Sequence, residues 1–88
     1  MSETDNLATI EKYYNSIYNA RIEIASLKKE KAEKKTRAWE MASGTAKEKE
    51  DYVRSFVSGY DQKIRNKEAE IEYNYNMVSL LSWIENNE

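Results

Sequence analysis

An 88-residue chain with 40% hydrophobic and 34% charged residues, two glycines and no proline has room for one small domain. Its composition suits long charged helices and is too apolar for a disordered tail. It holds no cysteine and no histidine, which excludes disulfides, thiolate zinc sites, thiol nucleophiles and imidazole chemistry. A net charge of −2 favours neither a nucleic-acid binder nor an acidic mimic of one.

Residues 1–6 read as a polar lead-in, in which Thr4 or Asp5 is placed to cap a helix. No basic region leads into an apolar stretch, and the longest apolar cluster, Met77 to Ile84, is too short to cross a bilayer. A soluble, cytoplasmic protein is therefore expected. Leu7, Ile10, Tyr14, Ile17, Ile24 and Leu27 recur at three- and four-residue steps, interrupted by Arg21. This is the helical period. From Lys28 to Arg37 the only apolar residue is Ala32, yet helix propensity stays high. Helix 1 is accordingly expected over about 6–42, taking in Ala38, Trp39 and Met41.

Ser43-Gly44-Thr45 then breaks the pattern halfway along the chain. Gly44 can take the left-handed conformation that ends a helix, and Thr45 can cap the next, with Glu48 completing a capping box. Helix 2 is expected over about 45–87. Val53, Val57, Tyr60, Ile64, Ile71, Tyr75 and Val78 step by fours and threes, with Lys67 filling the gap, close to a heptad seam. Gly59 is its one internal weak point, suited to a kink or to a close helix approach. A true break there, giving three helices, is the lesser alternative.

The expected fold is all-α: a single domain over 1–88 folded as a long antiparallel, coiled-coil-like hairpin that assembles into a helical bundle. With the turn at Gly44, facing residue numbers sum to about 88. Ile10 is then set opposite Val78, Ile17 opposite Ile71 and Ile24 opposite Ile64. At 1.5 Å per residue the rod is roughly 55–65 Å long. A lone hairpin buries one stripe per helix and gains little net stability. The Met77–Ile84 segment is apolar nearly all round, more than one partner helix can cover. Self-association as a four-helix dimer or larger bundle is the expected consequence, with Tyr13, Tyr18, Tyr73, Leu80, Trp83 and Ile84 as interface candidates.

Charge is segregated. Residues 28–54 hold nine of the fourteen Lys/Arg and six of the sixteen Asp/Glu, so the turn end is basic and the open end acidic. Arg21, Lys28, Lys29, Lys31, Lys35 and Arg37 are candidates for contacting an anion or an acidic partner. Set against that is a solvated Lys/Glu surface with three- and four-residue pairs such as Glu30-Lys34. Interspersed glutamates disfavour nucleic acid, because each repels phosphate. Tyr13, Tyr14, Tyr18, Tyr73 and Tyr75, interleaved with asparagines, form either a recognition surface or packing between subunits.

No catalytic constellation is visible. Glu68, Glu70 and Glu72 fan around the helix instead of converging, and no phosphate-binding loop, calcium loop, di-iron motif or nucleophile elbow is present. No enzyme activity, metal or cofactor is expected. Trp39 before a central turn resembles small secreted hairpins of the WXG type. However, that family's glycine two residues after the tryptophan is missing, and the residues four beyond Tyr73 and Tyr75 are Met77 and Ser79, not acidic. The Lys-, Asn- and Tyr-rich composition is also similar to many bacteriophage accessory proteins, a likeness without a motif.

The expected function is a non-enzymatic oligomer that binds itself and another protein, as an adaptor, chaperone or inhibitor. The alternative is an oligomeric sponge holding a small anionic ligand such as a nucleotide between subunits. A further alternative is a secreted hairpin that folds with a second protein. Neither nucleic acid nor membrane is an expected partner.

Overall fold

The computed structural model describes residues 3–87, with side chains from residue 6 onward. Two helices account for nearly all of it: α1, Glu3–Met41, and α2, Ala46–Asn87, of 39 and 42 residues. They pack antiparallel as a rod of 65 × 16 × 13 Å. Its radius of gyration, 19.7 Å, far exceeds the roughly 12 Å of a compact domain this long. The all-α hairpin and its length agree with expectation.

The turn follows the expected chemistry, except that the capping box is only half made. Gly44 has φ +102°, the left-handed region. Ala42 N–H bonds the Ala38 carbonyl at 2.9 Å, closing the last turn of α1. Thr45 caps α2: its hydroxyl accepts from the Glu48 N–H at 3.2 Å and donates to the Glu48 carboxylate at 3.2 Å. The carboxylate thus engages the capping hydroxyl in place of the backbone N–H of a full capping box. α2 runs unbroken through Gly59, so two helices form and not three.

At the N-terminus the structure differs. Helix begins at Glu3, so Thr4 and Asp5 lie inside the first turn rather than ahead of it. Their side chains, and hence any cap they provide, lie outside the described residues.

The seam between the helices keeps heptad spacing along α2 and along α1 as far as Lys31. In α2 it runs Val53, Val57, Tyr60, Ile64, Lys67, Ile71, Asn74, Val78 and Leu81, all buried or half-buried. In α1 it runs Asn6, Ile10, Tyr13, Ile17, Ala20, Ile24, Leu27 and Lys31, resuming at Ala38. Two stretches are thereby corrected. Asn74, only 6% exposed, takes the seam position expected of Tyr75. Asn6, Tyr13 and Ala20 take those expected of Leu7, Tyr14 and the interrupting Arg21, and Leu7 and Tyr14 are left exposed. Both shifts follow from a seven-residue step. Counting back by sevens from Leu27 gives Ala20, Tyr13 and Asn6, while the rival row contains Arg21 and Lys28. Counting back from Leu81 gives Asn74, Lys67, Tyr60 and Val53.

The register is also displaced. Glu23 pairs with Lys67, not with Arg65 as a sum of 88 requires, and Lys31 pairs with Asp61, not with Val57. The six isoleucine and valine positions paired in the sequence reading still all face inward.

Candidate functional site

Three polar residues inside the seam, Asn6, Lys31 and Lys67, are held by specific partners. Asn6, 3% exposed, donates to Glu85 Oε2 at 2.9 Å and ties the two ends of the chain together. Lys31 Nζ bonds Asp61 Oδ1 at 2.5 Å. Lys67 Nζ lies 2.7 Å from Glu23 and 3.3 Å from Glu70. Those two carboxylates, Glu23 first, hold the Lys67 ammonium above its ordinary pKa. These bonds are spread along the rod, from the open end (Asn6) through the middle (Lys67) to the turn half (Lys31).

The cross-helix contacts define two flanks. Arg21 follows the seam residue Ala20, and Tyr75 follows Asn74. The Arg21 guanidinium donates to the Tyr75 hydroxyl and lies 5.5 Å from its ring centroid, so the positions just after the seam share one side of the rod. Glu23 precedes Ile24, and Glu70 precedes Ile71; both meet Lys67, so the positions just before the seam share the other.

On the following flank, α1 presents Leu7, Tyr14, Arg21, Lys28 and Lys35 at seven-residue steps, with Tyr18 beside them. This row passes from apolar and aromatic at the open end to cationic toward the turn. On the preceding flank, α2 presents Tyr52 and Phe56, then Tyr73, Met77, Leu80 and Ile84. Tyr52, Phe56, Tyr73 and Leu80 are exposed, and Met77 and Ile84 half-buried. The rings of Tyr52 and Phe56 stack at 6.0 Å. Trp83, 63% exposed, points away from the seam next to Leu80 and Ile84.

The interface candidates are therefore divided. Tyr73, Leu80, Ile84 and Trp83 form one strip. Tyr18, 66% exposed, lies on the opposite flank, and Tyr13 is half-buried in the seam. Among the cations, Arg21 and Lys31 are engaged by Tyr75 and Asp61. Lys28, Lys29, Lys35 and Arg37 are exposed and make no ion pair among the described residues. Lys28 and Lys35 share a row, whereas Lys29 and Arg37 point elsewhere around α1.

Three features escaped the sequence reading. Tyr52 and Phe56 stack on the strip that carries Leu80. Trp39 receives the Lys49 ammonium 5.5 Å from its centroid, and Tyr60 receives those of Lys34 and Lys63. Seven-residue steps outside the seam were the signal for the first. For the cation–ring contacts the lysine-rich composition gave none.

No helix is long and apolar enough to cross a membrane, and no cluster of three acidic side chains could hold a metal, among the described residues. The grooves are open troughs between the helices, such as one of about 390 Å³ lined by Lys31, Lys35, Trp39, Val53, Arg54 and Asp61. No family model matches the chain, and no curated protein or solved structure matches it either.

Proposed function

We propose that this protein is a non-enzymatic binding module: a helical hairpin that self-associates and docks another protein, as an adaptor, chaperone or inhibitor. The observation that carries the reading is the set of large apolar side chains left exposed in rows on both flanks of a rod with a single narrow core. Rows of this kind mark interaction surfaces. The two rows suit different tasks. The α2 strip, apolar at both ends, suits self-association. The α1 row, in which Tyr14 and Tyr18 lead into Arg21, Lys28 and Lys35, suits an acidic, amphipathic segment of a second protein, with aromatics as anchors and cations for steering.

The nucleotide-sponge alternative is weaker. It needs tyrosines and free cations around one recess, and of the unpaired cations only Lys28 and Lys35 lie on the row that carries Tyr14, both exposed and toward the turn from it. A thermal-shift screen separates the readings: a nucleotide at 100 times its dissociation constant adds about 2.7 kcal/mol of stability. We expect no shift with mono-, di- or cyclic nucleotides. A reproducible shift would replace the proposed function with the sponge.

A further inference from the structure

The preceding flank of α2 forms one continuous heptad row of ten positions between Tyr52 and Ile84. Its apolar members are Tyr52 and Phe56 at one end and Tyr73, Met77, Leu80 and Ile84 at the other. Between them stand Gly59, Lys63, Asn66 and Glu70. We infer that this row is the interface of a two-fold dimer in which α2 packs antiparallel against α2 of a second copy. The inference rests on the proposed self-association and adds its geometry.

The argument for a second copy is self-complementarity. Turned end to end about its midpoint, near residue 68, the row lays Tyr52 on Ile84, Phe56 on Leu80 and Gly59 on Met77 of the other copy. Lys63 then faces Tyr73, a pairing this lysine already shows within its own chain over the Tyr60 ring at 5.8 Å. Asn66 faces Glu70, and Lys63 lies diagonal to Glu70. A parallel two-fold dimer would instead set Lys63 on Lys63 and Glu70 on Glu70, like charge against like. The antiparallel arrangement is also isologous, so it closes at two copies.

Gly59 has a place in this scheme. A Cβ built on it meets nothing within 4 Å, so the hairpin itself makes no use of its missing side chain. In the dimer it is the notch that receives the flexible Met77 side chain and lets the helices approach. The size is adequate. The row is roughly 48 Å long, and a helix presents a strip about 10 Å wide. The contact thus buries on the order of 1,000 Å² in total, at the threshold of a specific dimer.

Because the chain has no cysteine, single-cysteine variants report the geometry directly. Phe56→Cys and Leu80→Cys both alter exposed positions. In the antiparallel dimer these positions oppose each other, while the two copies of Phe56 lie about 36 Å apart, beyond any disulfide. On mild oxidation, a mixture of the two variants should give a mixed covalent dimer, and either variant alone almost none. Equal cross-linking of each variant with itself would establish a parallel dimer and overturn the inference. So would an uncross-linked mixture that light scattering shows to be oligomeric. A sample that is monomeric at every concentration overturns the proposed self-association as well. Gly59→Leu, which improves helix propensity, should weaken dimerisation by about tenfold or more by filling the notch. An unchanged dissociation constant would remove Gly59 from the interface.

Discussion

At the turn, three side-chain choices fix where the chain reverses. Gly44 sits at φ +102°, and a Cβ added there would come within 2.6 Å of Glu48 Oε2. Gly44→Ala should therefore cost about 1–2 kcal/mol from the left-handed backbone alone. Thr45→Ala, which removes the acceptor for the Glu48 N–H, should cost about 1 kcal/mol. Urea unfolding of both variants checks these values. The turn was legible before any coordinates because glycine and capping chemistry are local. The seam was only partly legible. Leu7, Tyr14 and Tyr75 drew the reading by size, but the heptad that runs back from Leu27 and Leu81 places Asn6, Ala20 and Asn74 inside. In a two-helix seam only one narrow row per helix is covered, so bulk does not decide which row turns inward; continuity of the step does.

Lys67 sits in the seam between two carboxylates. Its pKa is raised by Glu23 first and Glu70 second, so its ion-pair contribution is fully present below the unfolded lysine value of about 10.4. That contribution is lost as pH climbs through the higher folded value. Lys67→Met should lower the melting temperature by the same amount at pH 6 and pH 9, and the deficit should shrink above pH 10.5. A deficit that grows in alkali would contradict the assignment.

Between the elements, packing is sparse and polar pins set the register. Few large side chains are buried: Ile17, Ile64 and three valines carry most of the core. Ile17→Ala or Ile64→Ala should cost about 2–5 kcal/mol, enough to unfold a hairpin with so small a core. Far-ultraviolet circular dichroism reads the loss directly. Asn74 invites the opposite change. Asn74→Leu should raise the melting temperature, since an apolar side chain packs the seam better than a buried amide, while weakening the selection of a single register. The candidate strip on α2 was half legible for the same reason as the seam. Met77 to Ile84 was conspicuous as a block, whereas Tyr52 and Phe56 join it only once the seam is placed and the flank follows.

The shape of the rod argues for a partner. A rod 65 Å long and 13–16 Å across has a high surface for its volume and leaves tyrosines, tryptophan and leucine in rows. The charge candidates divide along the same geometry, with Lys28 and Lys35 on the flank opposite the α2 strip. Substituting Lys28 and Lys35 by glutamate should leave self-association intact and abolish binding of an acidic partner. Leu80→Glu with Trp83→Glu should do the reverse, separating the subunits while each hairpin keeps its helical spectrum.

We propose that this hairpin works as a dimer. Light scattering coupled to size exclusion, across a concentration series of the protein purified alone, decides whether it does. The predicted result is a species of twice the 10.4 kDa chain mass that dissociates in the Leu80→Glu, Trp83→Glu variant. A folded monomer of 10.4 kDa at every concentration would contradict the claim and leave the α2 strip to a foreign partner.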